Sequence, residues 1–288
     1  MRYTTFLADG RPRLGVVSGD QVVDLAAAVP GTPTDLRAAL ESGADLNAAA
    51  REALESKASR RSLNALAFAP LVPEPGKIIC LGLNYFDHAK EGGRDKPDYP
   101  WFFYRGKSSL VAHGQPALAP KVSTKFDYEA ELAVVIGTRV PRHVSQADAL
   151  GHVFGYTCFN DMSVRDFQKR TPQWTIGKNF DATGGFGPVL VTADELAPGA
   201  TGLRIQSRLN GQVMQDADTS DMIFSVAETI ALLAECMTLE PGDVIVMGTP
   251  AGVGQARTPP VWMKAGDTIE IEIARIGTLR NPVAAEAA

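Results

Sequence analysis

The segment of residues 126–137, with the sequence FDYEAELAVVIG, constrains the fold of this chain more than any other. Side chains along a β-strand alternate between its two faces, so Glu129 and Glu131 point the same way. Their face continues with Ala133 and Val135, while the opposite face carries a tyrosine and large aliphatic residues. Because both faces are apolar beyond the glutamates, the segment is predicted to be a central strand that is covered on both sides.

Strands dominate the chain beyond residue 76. The runs that predict them are Lys77–Leu83, Leu132–Ile136, Phe154–Asn160, Leu203–Leu209, Val244–Met247 and Thr268–Ala274. Few long helical patterns lie between these runs, which does not fit the regular strand–helix alternation of a parallel sheet. We therefore predict an α+β, β-rich fold with mixed sheets.

The first 70 residues have a different pattern. Short strands are predicted at Tyr3–Leu7, Leu14–Val17 and Gln21–Leu25, and helices at Thr34–Ser42 and Asn47–Ser59. Residues 68–76, FAPLVPEPG, contain three prolines and are typical of a linker. For a chain of 288 residues, we predict a small N-terminal α+β domain of residues 1–70 and a catalytic domain of residues 71–288.

The composition excludes several classes of protein. The formal net charge of -5 leaves no broad basic face for nucleic acid. No segment approaches the roughly 18 consecutive apolar residues of a membrane helix, and the N-terminus lacks the apolar core of a signal peptide. We predict a cytoplasmic protein that binds neither nucleic acid nor membrane. Cys80, Cys158 and Cys236 are too widely spaced for a zinc site and are predicted to be buried free thiols.

Two glutamates on one buried strand face leave two interpretations open. Either the strand frays and both carboxylates reach water, or a hard cation compensates their repulsion and lost hydration. A third carboxylate, Asp161, follows the predicted strand Phe154–Asn160 and favours the second interpretation. Three carboxylates without Cys or His predict Mg²⁺, for which Mn²⁺ or Ca²⁺ can substitute.

Other polar residues near these segments are candidates for catalysis. His88 and Glu91 are three apart on a helix-like turn, where a carboxylate-held histidine can act as a general base; the alternative is a surface contact. Arg165 and Gln168 lie four and seven residues after Asp161, and a single helical face is predicted to carry all three. The loop Gly248–Gly254 is either an anion-binding loop or a plain turn.

Taken together, these residues resemble the fumarylacetoacetate hydrolase family. The matching segments are GLNYFDHAKE, DYEAELAVVIG, GYTCFNDMSVRDFQ, GKNFDATGGFGP, DTSDMIFS and LEPGDVIVMGTPAGVG, in the family's order. The resemblance, to a two-domain acylpyruvase-like member, implies a catalytic domain with a β-rich roll of mixed sheets and a homodimer. One departure is Arg105-Gly106, where many members carry a Lys-Pro pair.

The resemblance also implies roles for individual residues. Glu129, Glu131 and Asp161 would be the metal ligands. His88 and Glu91 look like the family's catalytic dyad, on a mobile segment that closes over the substrate, and Lys178 looks like the lysine that stabilises developing negative charge. The implied contacts to the substrate are Arg165, Gln168, Thr249 and Tyr85.

The leading hypothesis is metal-dependent hydrolysis of a C–C bond in a 1,3-dicarbonyl acid, either an acylpyruvate or a fumarylacetoacetate-like acid. Water activated by His88 and Glu91 would attack the distal carbonyl, leaving an enolate that the cation and Lys178 stabilise. A β-keto acid decarboxylase of the oxaloacetate type, or a keto–enol or double-bond isomerase, would use the same site. A binding protein that retains the fold without catalysis is the remaining alternative. The expected partner is a small keto acid.

Overall fold

The computed structural model describes residues 1–91, 93 and 95–287. The three N-terminal helices each begin directly after an aspartate whose side chain accepts a hydrogen bond from a backbone N–H three residues on: Asp24 from Ala27, Asp35 from Ala38 and Asp45 from Ala48. The elements of this part are β1 (Arg2–Ala8), β2 (Arg11–Ser18), β3 (Gln21–Asp24), α1 (Leu25–Ala28), α2 (Leu36–Glu41), α3 (Leu46–Glu55) and β4 (Arg60–Ser62).

The rest of the chain is rich in strands, with short helices between them. Its elements are β5 (Ile78–Gly82), α4 (Phe86–Glu91), β6 (Trp101–Tyr104), β7 (Leu110–Val111), β8 (Ala117–Ala119), β9 (Phe126–Asp127), β10 (Ala130–Ile136), α5 (Gln146–Ala149), β11 (Val153–Asp161), β12 (Ser163–Val164), α6 (Arg165–Gln168), α7 (Thr175–Lys178), β13 (Gly184–Thr192), β14 (Arg204–Leu209), β15 (Gln212–Asp218), α8 (Val226–Cys236), β16 (Val244–Val246), β17 (Thr268–Ile273) and β18 (Gly277–Ala285).

The strands form mixed sheets, which confirms the predicted α+β, β-rich class. The largest sheet has the order β4-β3-β2-β1-β13-β11-β10-β16-β5-β6, and β7 pairs with β13. Most neighbours in it are antiparallel, but β16 and β5 are parallel. A second sheet has the order β15-β14-β17-β18-β8, and β12 pairs with β9.

Strand β10 lies in the middle of the large sheet, as its apolar faces predict. It pairs with β11 on one side and β16 on the other, and all seven of its residues are buried. Leu132 and Val134 belong to the core that also contains residues of the five-stranded sheet and α8. Ala133 and Val135 belong to a second core on the opposite face, together with residues of the N-terminal helices. Because its side chains alternate between faces, β10 contributes to the cores on both sides of the large sheet.

The N-terminal strands continue the large sheet. Strand β1 pairs antiparallel with β13, with Tyr3 opposite Leu190, and the N-terminal residues Leu14 and Leu36 share the second core with Ala133. The predicted domain boundary at residue 70 stays a prediction, because strands from both sides of it are hydrogen-bonded in the same sheet.

Cys80 and Cys158 are buried free thiols as predicted, but the prediction for Cys236 was wrong. Cys236 is exposed because it is the last residue of α8 and lies beyond Ala234, the last residue of that helix to be buried. Within the described part of the chain, no helix is both long enough and apolar enough to cross a membrane.

Gly155 in β11 provides a test of how closely the large sheet packs. A Cβ there would lie 2.4 Å from the carbonyl oxygen of Val191 and 2.6 Å from Cδ2 of Leu190. We expect Gly155→Ala to lower the free energy of unfolding by about 1–3 kcal/mol, the usual cost of overpacking, as measured by denaturant titration. Gly151→Ala is the matched control, since a Cβ there meets nothing within 4 Å. Equal effects of the two substitutions would contradict the packing described.

Candidate metal and active site

Three carboxylates meet where β10 begins and β11 ends. Glu129 directly precedes β10, Glu131 is its second residue, and Asp161 is the last residue of β11. The antiparallel register brings them together, since the backbone N–H of Asp161 donates to the carbonyl oxygen of Glu129 at 3.0 Å. All three side chains are buried, and each offers an oxygen within 4.8 Å of the others. The predicted trio is therefore brought together by the strand pair alone.

Buried cations compensate two of these carboxylates. Lys178 Nζ donates to Glu129 Oε2 at 2.5 Å and to Asp161 Oδ2 at 2.6 Å. Arg165 Nη2 lies 2.6 Å from Glu129 Oε1, and Arg105 Nη1 lies 3.1 Å from Asp161 Oδ1. Burial alone would raise the pKa of Glu129, but Arg165 and Lys178 outweigh it and lower that pKa to about 2. Glu129 is therefore firmly ionised.

Glu131 has no such partner. Its Oε2 accepts a hydrogen bond of 2.6 Å from the backbone N–H of Gly248, and no ion pair joins it to a Lys, Arg or His of the described residues. Burial raises its pKa well above the usual value, and the charges of Asp161 and Glu129 raise it further. Hard oxygen donors around uncompensated negative charge are the donor set that a divalent cation prefers. Glu129, Glu131 and Asp161 therefore fit such a cation.

Asp127 is a member of this cluster that sequence reasoning missed. Its Oδ2 accepts from Arg165 Nε at 2.8 Å, and its Oδ1 accepts from the backbone N–H of Gly254 at 2.8 Å. The carboxylate is completely buried and fixes the guanidinium of Arg165 beside Glu129. The available signal was its spacing, since Asp127, Glu129 and Glu131 alternate along the strand predicted over residues 126–137.

Arg105 was also missed as a site residue, although its departure from the family pattern was noticed. Its guanidinium donates to the carbonyl oxygens of Lys178 and Thr183, besides its contact with Asp161. It is 3% exposed, at the end of an aromatic segment. The signal in the sequence was a charged residue directly after the aromatic run WFFY, where burial of the charge would require polar partners.

The glycine-rich loop holds carboxylates of the chain itself. Backbone N–H groups of Gly248, Gly252 and Gly254 donate to Glu131, Glu91 and Asp127, respectively. Gly248 has φ of 88°, and a Cβ there would lie 2.7 Å from Cβ of Asn84. Only glycine adopts this conformation without strain. Of the two interpretations, the loop therefore fits the anion-binding one. The anions are carboxylate side chains of the chain itself.

His88 and Glu91 form the predicted pair on α4. His88 Nδ1 lies 3.3 Å from Glu91 Oε2, and Glu91 Oε1 accepts a hydrogen bond of 3.0 Å from Gly252 N. The side chains are 15% and 23% exposed, respectively. Glu91 thus connects the histidine to the glycine-rich loop. Residues 92 and 94, which follow in the segment predicted to be mobile, lie outside the described residues.

The structure separates the three residues that were predicted to share one helical face. Asp161 ends β11, whereas Arg165 begins α6 and Gln168 ends it. The prediction of a common helix was wrong, because β12 intervenes and pairs with β9. The side chains still converge: Arg165 Nη1 donates to Gln168 Oε1 at 3.0 Å, and a chain of contacts continues to Asp161 through Glu129 and Lys178.

Close packing of α7 against α6 places Lys178. A Cβ on Gly177 would lie 2.4 Å from the backbone nitrogen of Gln168, so the two short helices touch backbone to backbone. Burial alone would lower the pKa of Lys178, but Asp161 and Glu129 outweigh it and raise that pKa. The ammonium group therefore stays charged in the centre of the carboxylates.

A cavity of about 600 Å³ opens beside these groups. It has the size of a small-molecule site. Its lining consists of Leu81, Gly82, Leu83, His88, Trp101, Phe103, Glu129, Glu131, Arg165, Gln168, Lys169, Arg170, Thr171, Pro172, Trp174, Lys178, Thr249 and Gln255. Three of the four predicted substrate contacts, Arg165, Gln168 and Thr249, are among these residues. The fourth, Tyr85, is buried, with 1% of the residue exposed. Its hydroxyl has no hydrogen-bond partner among the described residues.

Comparisons with known proteins identify the family of the chain. Residues 77–284 match the family described as fumarylacetoacetate (FAA) hydrolase C-terminal. The mitochondrial oxaloacetate tautomerase of Xenopus laevis is 40% identical over 276 residues, which cover 94% of this chain and 86% of the relative. An oxaloacetate tautomerase of Bacillus subtilis (strain 168) is 45% identical over 226 residues, covering 77% of this chain and 74% of the relative.

A solved structure extends the likeness to the whole fold. The maleylpyruvate hydrolase of Sphingobium sp. SYK-6, in complex with manganese(II) and pyruvate, is 31% identical with a TM-score of 0.83, and the match covers 100% of both chains. The sequence match and the structural match each cover nearly the whole chain. The chain belongs to the fumarylacetoacetate hydrolase family, and the relatives described above are enzymes.

Proposed function

We propose that this protein is an enzyme that depends on a divalent cation, Mg²⁺ in the first instance, and catalyses keto–enol tautomerisation of oxaloacetate or a similar short 2-oxo acid. The observation that carries the proposal is the buried trio of Glu129, Glu131 and Asp161 next to a cavity that His88 also lines. Two relatives at 40% and 45% identity are oxaloacetate tautomerases, and a related structure holds manganese(II) and pyruvate, a 2-oxo acid.

The trio would hold the cation, which as a Lewis acid polarises the 2-oxo group and so acidifies the neighbouring C–H bond. His88 supplies the proton transfer. With the proton of Nδ1 directed toward Glu91, Nε2 carries the lone pair that accepts a proton from C3 of the keto acid. Return of that proton to the 2-oxygen completes the conversion to the enol, with no net loss of atoms.

Other residues of the chain favour the charge that develops on oxygen during this transfer. Lys178 provides a fixed positive charge in a buried setting, where it acts more strongly than in water. Gln168 and Thr249 line the same cavity and present polar groups that orient the acid. Arg165 is held by Asp127 and therefore adds its charge without rearrangement.

Hydrolysis of the C–C bond of an acylpyruvate or a fumarylacetoacetate-like acid is the second candidate. It is favoured by the same His88–Glu91 pair, which is suited to activate water, and by the likeness to a maleylpyruvate hydrolase. Decarboxylation of a β-keto acid would use the same polarised 2-oxo group. The homodimer and the cytoplasmic location stay predictions.

Glu131→Gln tests the cation site. The substitution removes the one carboxylate of the cluster without a cationic partner, so we expect Mg²⁺ affinity to fall by more than about 100-fold, because outer-shell groups alone contribute about 10–100-fold. Isothermal titration with MgCl₂ and MnCl₂ measures this. The apo-protein is expected to unfold at about the same temperature, because the raised pKa favours the neutral form of Glu131, which Gln matches in size and charge. Glu235→Gln, an exposed change on α8, is the control. Unchanged Mg²⁺ affinity would contradict the assignment of Glu131 as a cation ligand.

His88→Ala tests the proton transfer and separates the reactions. We expect kcat for oxaloacetate tautomerisation, followed by the absorbance of the enol, to fall by about 10²–10⁴-fold, with Mg²⁺ affinity unchanged. His152→Gln is the control, since His152 contacts Thr138 and does not line the cavity. If the wild-type enzyme cleaves acylpyruvates and leaves oxaloacetate tautomers unchanged, hydrolysis replaces the first proposal.

A further inference from the structure

The cavity has two ends of different charge. At the inner end, the lining side chains of Glu129, Glu131, Arg165 and Lys178 are buried. At the outer end, Lys169 and Arg170 follow directly after α6 and line the same cavity. Both of these residues are exposed, and apart from Glu129 and Glu131 no acidic residue lines the cavity in the described part of the chain.

The two outer cations are available to a ligand. Arg165 and Lys178 are both ion-paired, whereas no ion pair occupies the side chain of Lys169 or Arg170 among the described residues. The guanidinium of Arg170 lies 3.5 Å from the centroid of the Phe167 ring, which holds it in place. Partial burial and the charges of Arg165 and Lys125 lower the pKa of Lys169, in keeping with surplus positive charge here.

Another part of the cavity wall is aromatic and carries no charge. Trp101 and Trp174 stack with ring centroids 5.3 Å apart, and Phe103 packs edge-on against Trp174. A Cβ on Gly82 would overlap the Trp174 ring, so the aromatic wall is fixed against β5. An acid that enters the cavity therefore meets aromatic surface and, at Lys169 and Arg170, two cations without an ion-pair partner among the described residues.

We propose that Lys169 and Arg170 form a subsite for the distal carboxylate of a dicarboxylic 2-oxo acid. The proposal rests on the proposed function and narrows its substrate class from 2-oxo acids to those with a second carboxylate. The 2-oxo acid head lies at the inner end beside Glu131, and the distal carboxylate accepts charge-assisted hydrogen bonds from the ammonium and the guanidinium. Monocarboxylic acids such as pyruvate leave this subsite without a ligand.

Binding of two unreactive acids to the Mg²⁺-loaded protein tests the subsite. Malate and lactate have the same 2-hydroxy acid head and differ in the distal carboxylate. We expect the wild-type protein to bind malate at least about tenfold more tightly than lactate, as charge-assisted hydrogen bonds require. In the double variant Lys169→Gln/Arg170→Gln, the ratio of the two Kd values is expected to fall to about 1–2, with the Kd for lactate unchanged.

Arg11→Gln/Lys57→Gln is the matched control, because it removes the same two charges from exposed residues that do not line the cavity. It is expected to keep the wild-type ratio, as is the charge-conserving variant Lys169→Arg/Arg170→Lys. The subsite is refuted if wild-type protein does not prefer malate, if the neutral double variant keeps the preference, or if the control loses it equally.

The same ligands distinguish this proposal from the proposed function. If malate is preferred through Lys169 and Arg170 while oxaloacetate tautomers do not interconvert, the subsite stands and the reaction assignment fails. If tautomerisation proceeds with the same KM in wild-type and neutral double variant, the reaction stands and the subsite fails.

Discussion

The carboxylate of Glu131 is the constraint on which the site depends. Each of the other three carboxylates of the cluster contacts a Lys or Arg side chain, whereas the partner of Glu131 among the described residues is a single backbone N–H. Burial without a cation raises the pKa of Glu131, so its ionised form is stabilised by a species that brings positive charge to this point. A divalent cation meets that requirement and at the same time turns the negative cluster into a site for an anionic acid.

The fold fixes Glu131 and Lys178 in place, whereas His88 lies on a separate short helix. Glu131 lies on a strand that is hydrogen-bonded on both sides and buried in two cores, so it cannot retreat to water. Lys178 is fixed by the contact between α6 and α7. His88, in contrast, lies on α4, which the hydrogen bond from Gly252 to Glu91 connects to the glycine-rich loop. The carboxylate trio is therefore preorganised, whereas the position of His88 depends on that of α4.

Sequence reasoning identified what depends on local pattern. Alternation along residues 126–137 predicted a central strand and two glutamates on one face, and the spacing of His88 and Glu91 predicted their contact. It missed what depends on long-range pairing. Asp127 and Arg105 acquire their roles from Gly254, Lys178 and Thr183, which are far away in the chain. The helical face through Asp161 failed for the same reason, since the pairing of β12 with β9 stops a helix from forming there.

The distal subsite has a consequence for the choice among reactions that share the site. Decarboxylation moves negative charge from the distal carboxylate toward the 2-oxygen as CO₂ leaves, so cations that hold this carboxylate stabilise the ground state more than the transition state. Tautomerisation leaves the charge of that carboxylate unchanged, and the same contacts then cost nothing in the barrier. If Lys169 and Arg170 form the proposed subsite, a C4 oxo-diacid would be held in a manner that favours proton transfer at C3 over loss of CO₂. The charge at the outer end of the cavity, rather than the cation site, would then select the reaction.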